Sequence, residues 1–278
     1  MTVSQQTFSA ATIQICASAD LQSDIDRCIA GMEKAVERGA VLLTLPEVCV
    51  GLDQSGPRPK TIAFTEQEHP ALPAFRQFAQ YHKVEVLIGS IGIEEDKKIY
   101  NRSYLINSSG EISAHYDKIH LFDIDLGGDV WFRESDTFKA GERAVLASCM
   151  GSQAGMAICY DLRFPQLFRT YSQAGAKILF LPAAFTRPTG EAHWHSLLRA
   201  RAIENAAWVI APAQHGTATR GCYGHSLIVD PWGTIQAECG ESEEIAIAEI
   251  DLDMADKTRA KIPAITLKKE FSLKIATV

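Results

Sequence analysis

The 278-residue sequence contains no CxxC pair, no basic run interleaved with aromatics, no internal repeat and no low-complexity segment. Nor does it contain an apolar stretch near the roughly 20 residues that a membrane helix requires. Each absence excludes a class. Without CxxC or HExxH spacing there is no zinc-ribbon or zincin signature, and His193-Trp194-His195, two apart, does not set both imidazoles on one helical face. We therefore expect neither a metal nor a cofactor. A formal charge of −7 opposes a nucleic-acid surface. The polar first ten residues lack a signal-like apolar core, and the seven cysteines are scattered in an odd number that leaves at least one free thiol. These features predict a cytoplasmic protein whose partner is a small molecule, with no nucleic acid and no membrane involved.

What is present is an ordinary globular composition, 46% hydrophobic and 22% charged, arranged as alternating strands and helices. Ala11 to Ala17 reads as a strand. A helix from Ser23 carries Ile25, Cys28, Ile29, Met32, Ala35 and Val36 on one face and stops at Gly39. The strand Val41 to Leu45 then runs into Pro46-Glu47, closing a βαβ unit. A helix at 71–82, a strand at 84–93 and a hairpin turning at Ser108-Ser109-Gly110-Glu111 follow, and the hairpin delivers Asp117-Lys118. Residues 122–141 read as a loop that covers the substrate, because Phe122, Trp131 and Phe132 argue against disorder. A second half repeats strand and helix, with a loop at 185–191 and a helix from Ala192 to Ala206. The pattern predicts a single domain over residues 1–278, built as a four-layer αββα sandwich of two packed mixed sheets.

Chemistry concentrates at Gly155 to Pro165. Met156 to Ile158 reads as a buried strand that ends abruptly at Cys159, and Pro165 suits the first turn of a helix. Glu47 and Lys118 stand at strand ends in the same way, so one sheet edge would gather a thiol, a carboxylate and an ammonium. A thiol needs a neighbouring base or cation to become a nucleophile near neutral pH. The alternatives are a buried, inert cysteine, or a histidine base drawn from His193, His195, His215 or His225, for which no local signature is present.

Leu45-Pro46-Glu47, Asp117-Lys118-Ile119-His120-Leu121 and Ile158 to Pro165, in that order, resemble the nitrilase superfamily, the carbon–nitrogen hydrolases, over about residues 11–263. The resemblance implies an αββα fold that forms a homodimer or a larger homo-oligomer. It also implies Cys159 as nucleophile, Glu47 as general base and later acid, Lys118 as oxyanion stabiliser with the Tyr160 backbone N–H, and Glu134 as a second glutamate orienting Lys118 and the substrate. Ala192-His193-Trp194, Leu198 to Glu204, Tyr223 to Ser226 and Asp230 to Gly233 resemble the Nit branch. That branch contains deaminated glutathione amidase and ω-amidase. The expected activity is therefore hydrolysis of a small carboxylate-bearing amide, with release of ammonia through a thioester. Other amidases, carbamoylases, nitrilases, acyltransferases and a non-catalytic interaction protein are the alternatives. An anionic substrate calls for a cation or donors, for which Thr186 and Arg187 are the candidates. The tail Ala264 to Val278 departs from the branch in lacking an arginine-rich ending.

Overall fold

The computed structural model describes residues 7–53, 60–125, 131–217, 220–267 and 269–276. Among them are five α-helices and two large mixed sheets. The first sheet has seven strands. Across it run Glu244–Asp251, Thr7–Gln14, Leu42–Thr44, Glu85–Glu95, Lys98–Ile106 and Ile112–Asp117, with Ala63–Phe64 pairing beside Glu85–Glu95. The second has six, in the order Val145–Cys149, Ser152–Met156, Ile178–Phe180, Trp208–Ala211, Leu227–Val229 and Ile235–Glu238.

Read in these orders, both sheets follow the same sequence of pairings: antiparallel, parallel, parallel, antiparallel, antiparallel. Parallel neighbours are joined by crossovers and several antiparallel ones by hairpins, whereas Thr7–Gln14 and Glu244–Asp251 pair across almost the whole length of the chain.

Strand periodicity explains the layers. Ala10, Leu42, Leu87 and Leu105 point into a core shared with the second sheet. Their neighbours Ala11, Leu43, Val86, Ile88, Tyr104 and Ile106 point the other way, onto Ile25, Cys28 and Met32 of α1 (Leu21–Glu37) and Phe75, Phe78 and Ala79 of α2 (Ala71–His82). The second sheet is covered by α3 (Pro165–Gln173) and α4 (Arg187–Asn205) through Phe168, Tyr171, Trp194, Leu198 and Ala202. The αββα sandwich expected from the element pattern is the observed fold.

Local chemistry sets the helix bounds. Asp20 caps α1 by accepting from the Ser23 N–H, and Pro165 opens α3. Two segments differ from the sequence expectation. Residues 187–191 are helical rather than loop: Thr186 takes the extended N-cap conformation and Pro188 falls in the first turn, where its missing N–H costs nothing. Within 122–141, Asp123–Asp125 pairs with Trp131–Arg133, and a 3₁₀ turn follows at Glu134–Asp136. Residues 126–130, which include Gly127-Gly128, lie outside the described residues. A fifth helix, α5 (Leu252–Lys261), follows the last strand; of its ten residues only Leu252, Ala255 and Thr258 are buried, too few to mark an apolar face.

Three strand ends position the chemistry. Ile112–Asp117 is two antiparallel steps from Glu85–Glu95, which is parallel to Leu42–Thr44, so both C-termini emerge at one edge. The segment after Leu42–Thr44 is held by a bulge in Glu85–Glu95 between Ile88 and Ile91. There Ser90 accepts from the Val48 N–H through Oγ (2.8 Å) and from the Cys49 N–H through its carbonyl (3.0 Å). A Cβ on Gly89 would lie 2.0 Å from the Leu45 carbonyl oxygen and 2.3 Å from that of Pro46. Backbone cannot retreat as a flexible side chain can. Gly89→Ala is therefore expected to destabilise the fold by about 1–3 kcal/mol, read from urea denaturation, and to displace Glu47; unchanged stability would show that the bulge yields.

Candidate active site

Glu47, Lys118, Cys159 and Glu134, which the sequence places on four separate segments, meet in one cluster whose first three members are buried. Glu47 and Lys118 are 4% and 2% exposed, and Cys159 is 7% exposed. The Lys118 ammonium bridges two carboxylates: Nζ lies 2.8 Å from Glu47 Oε1, and 3.0 and 2.8 Å from Glu134 Oε1 and Oε2. The remaining lone pairs are claimed by protein donors. Ala184 N–H donates to Glu47 Oε2 (2.7 Å) and Phe122 N–H donates to Glu134 Oε2 (2.6 Å). Asn101 Nδ2 donates to Oε1 of both glutamates, at 2.9 and 3.1 Å.

Each strand end is locked by its own device. Cys159 opens the 3₁₀ turn Cys159–Arg163 with φ of 47°, a left-handed conformation that non-glycine residues rarely adopt. Its N–H donates to the Pro182 carbonyl (2.9 Å). Buried Asp161 ties this turn to the Lys118 strand. Its Oδ2 accepts from Tyr116 OH (2.7 Å) and Ile158 N–H (2.8 Å), while Oδ1 accepts from His120 N–H (3.1 Å) and lies 2.6 Å from His120 Nδ1. Gly141 packs so tightly on the other side that a Cβ would sit 2.2 Å from the Asp117 carbonyl. Gln214 fastens the Glu47 turn by donating to the carbonyls of Glu47 and Val48, both at 2.8 Å, and accepting from Ala17 N–H at 2.8 Å.

The electrostatics follow from burial and the charge count. Burial and the Glu47 charge push the Cys159 thiol well above the ordinary cysteine range, with Lys118 opposing them only in part. Burial alone would also raise the Glu47 carboxyl. The Lys118 charge and hydrogen bond, the Cys159 thiol and the Ala184 N–H outweigh it and hold Glu47 below the usual carboxylate range. For Lys118, burial opposes the charge, but Glu134 and Glu47 keep the ammonium protonated far above neutral pH. The resting site therefore holds a neutral thiol hydrogen-bonded to an ionised Glu47. Such a carboxylate can take the thiol proton as sulfur attacks an electrophile.

The other sequence candidates have partners of their own. Tyr160 follows Cys159 in the 3₁₀ turn, with its ring edge-on to Phe122 (5.1 Å) and Phe164 (5.6 Å). Thr186 caps α4, its Oγ1 2.7 Å from Thr189 Oγ1. Arg187 grips Glu241 with two hydrogen bonds of 3.1 Å and has a side chain 38% exposed, so its hydrogen bonds go to the surface rather than to the Glu47 cluster. Reasoning from sequence did not find Asn101, Asp161, Gln214 or the Ala184 N–H.

Known proteins resemble this chain over most of its length. A family model described as carbon–nitrogen hydrolase matches residues 9–260. Deaminated glutathione amidase from Synechocystis is 38% identical over 269 residues, 93% of this chain and 97% of that protein. Nitrilase homolog 2 from Dictyostelium discoideum is 35% identical, covering 99% of this chain and 84% of that protein. Among solved structures, the C. elegans NitFhit protein superposes with a TM-score of 0.86 at 33% identity over 95% of this chain, which spans 65% of that longer chain. Saccharomyces cerevisiae Nit3, of branch 10 of the nitrilase superfamily, superposes with a TM-score of 0.83 at 30% identity, over 94% of this chain and 95% of that one.

The charge order within the cluster makes a directional prediction. Glu47→Gln removes the carboxylate that raises the Cys159 thiol and leaves the Lys118 ammonium that lowers it. Alkylation of Cys159 by a neutral maleimide at pH 7 should accelerate by about three- to tenfold, read by mass spectrometry of the Cys159 peptide. Equal or slower labelling would contradict the assignment of charge.

Proposed function

The chain belongs to the carbon–nitrogen hydrolase family and is a hydrolase of carbon–nitrogen bonds other than peptide bonds, and from that premise we propose that it deaminates a small carboxylate-bearing amide through a thioester on Cys159. The observation that carries this reading is the Lys118 bridge between Glu47 and Glu134 beside the Glu47-bound thiol.

In the proposed reaction Cys159 Sγ attacks the amide carbonyl carbon while its proton passes to Glu47. The carbonyl π pair moves to oxygen, and the oxyanion lies between Lys118 Nζ and the Tyr160 backbone N–H. Losing one such donor typically costs about 10²–10³ in rate. Glu47 then protonates the amide nitrogen, the C–N bond breaks, and ammonia departs, because an amide anion is too basic to leave unaided. Water, deprotonated by the same Glu47, attacks the thioester. Collapse of the second tetrahedral intermediate frees the carboxylic acid and returns the proton to sulfur. Glu134 acts through Lys118: its two oxygens lie 3.0 and 2.8 Å from Nζ and share one N–H, which leaves another for the oxyanion. A single cation shared between two carboxylates has little freedom to move, which keeps the donor preorganised.

Deaminated glutathione is the preferred substrate in this reading, on the strength of the relatives named for it at 36–38% identity. Thr186 and Arg187 are proposed to meet the substrate carboxylate. Arg187 would exchange Glu241 for the ligand, replacing one carboxylate with another, so the ion pair itself is conserved. A homodimer or larger homo-oligomer belongs to the same proposal, with exposed Ile203, Trp232 and Ile262, each more than half accessible, as apolar surface.

Ammonia release should be measured with deaminated glutathione, 2-oxoglutaramate, asparagine, glutamine and a simple nitrile. We expect the two α-keto acid amides to be cleaved, deaminated glutathione faster, and Cys159→Ala to lose at least about 10³-fold. Full activity in Cys159→Ala would refute the thioester. Preference for the nitrile would refute the amidase assignment.

A further inference from the structure

A second cluster of chemically capable side chains lies outside the Glu47 group. His195 sits on α4, His225 follows the strand Arg220–Tyr223, and Glu238 ends the strand Ile235–Glu238. Both imidazoles converge on one carboxylate oxygen: His195 Nε2 and His225 Nδ1 lie 2.7 and 2.8 Å from Glu238 Oε1. All three donor atoms lie within 4.8 Å of one another. From these positions we propose that His195, His225 and Glu238 bind a divalent transition-metal ion of the zinc class, tying α4 to the edge of the second sheet.

The surroundings hold the donors in place. The two imidazoles approach from different directions, their ring planes 71° apart. Tyr223 stacks on His225 at 4.3 Å and meets His195 edge-on at 5.9 Å. The His225 backbone is fixed in a left-handed conformation (φ 55°), donating its N–H to the Gly240 carbonyl and accepting at its own carbonyl from Trp194 Nε1 at 2.8 Å. Glu238 therefore faces two nitrogens delivered by a helix and a constrained turn, and sites on such elements are more exact than sites on free loops.

Two imidazole nitrogens and one carboxylate oxygen suit Zn²⁺, Cu²⁺, Ni²⁺ or Co²⁺, whereas Mg²⁺ and Ca²⁺ favour oxygen donors throughout. Three protein ligands leave further positions for water, and the side chains are 31%, 21% and 31% accessible, so an ion can enter from solvent. Tetrahedral coordination at about 2.0–2.2 Å sets donor atoms roughly 3.3 Å apart, so each His–Glu contact needs to open by about half an ångström. Binding would place the ring protons on His195 Nδ1 and His225 Nε2. Glu241 interacts electrostatically with His225, although its own ion pair with Arg187 offsets part of that charge.

The sequence offers only His193 and His195 as a local pair, and on that spacing no metal is expected. His193 Nδ1 lies 3.3 Å from Arg163 Nη2, while His195 finds its partners 30 and 43 residues further along the chain. Such partners carry no local motif.

The test is a Co²⁺ and Zn²⁺ titration of the whole, chelator-treated protein. We expect one ion per chain, a Co²⁺ spectrum with ligand-field bands and no thiolate charge-transfer band, and a higher melting temperature with Zn²⁺. Glu238→Gln, which keeps a hydrogen-bonding side chain, and His225→Ala should each weaken binding at least about tenfold, while Cys159→Ala binds the metal as the wild type does. Absence of binding would overturn the proposal, as would a thiolate band or affinity unchanged in Glu238→Gln with its metal-free melting temperature preserved.

Discussion

The structure turns on one ammonium held between two carboxylates out of water. Burying Lys118, Glu47 or Glu134 singly would carry a desolvation penalty of several kcal/mol, and only close pairing with every lone pair engaged offsets it. That requirement explains the ring of donors around the trio: Asn101 reaches both carboxylates, and the N–H groups of Ala184 and Phe122 complete them. Two negative charges on one positive charge leave the site with a net negative balance. The thiol beside it consequently stays protonated at rest, and the base that can remove its proton is already in contact.

This arrangement demands backbone that ordinary strand ends do not supply. Val48 and Cys159, each at the turn leaving a central strand, take φ values of 44° and 47°. Strain of this kind persists only when the surroundings over-determine it. Here Ser90 and Gln214 fasten the first turn, Pro182 and Asp161 fasten the second, and Gly89 and Gly141 let neighbouring backbone approach closer than a Cβ would allow. The sandwich serves these contacts: its inner core of small and aliphatic side chains brings the edges of two sheets together so that residues more than a hundred positions apart meet.

Much of this is legible in the sequence. Abrupt transitions from apolar strand to polar turn mark Glu47, Lys118 and Cys159, and alternation of strand and helix marks the sandwich. Glu134 came from resemblance, since Trp131-Phe132-Arg133-Glu134 has no periodicity that singles out a carboxylate. The supporting residues were illegible for a common reason: Asn101, Asp161 and Gln214 act through partners 54, 45 and 167 residues away, and no local pattern records such distances. The first turn of α4 was hidden because Thr186-Arg187-Pro188-Thr189-Gly190 is also good turn chemistry. Burial of Thr189, and of Gly190 against Tyr223, decides in favour of the helix. The shared pairing order of the two sheets lies in topology rather than in residue types, so a search for repeated residues passes over it.

The central claim is that the Cys159 thiol is neutral at rest and that Glu47 carries the charge. An ultraviolet difference titration of thiolate absorbance, wild type minus Cys159→Ala, tests it most directly. The account predicts no Cys159 thiolate signal at neutral pH, with ionisation only well above the ordinary thiol pKa of about 8.5. A substantial thiolate signal at pH 7 would contradict it, for the nucleophile would then be ion-paired with Lys118 and Glu47 would have no proton to accept from it.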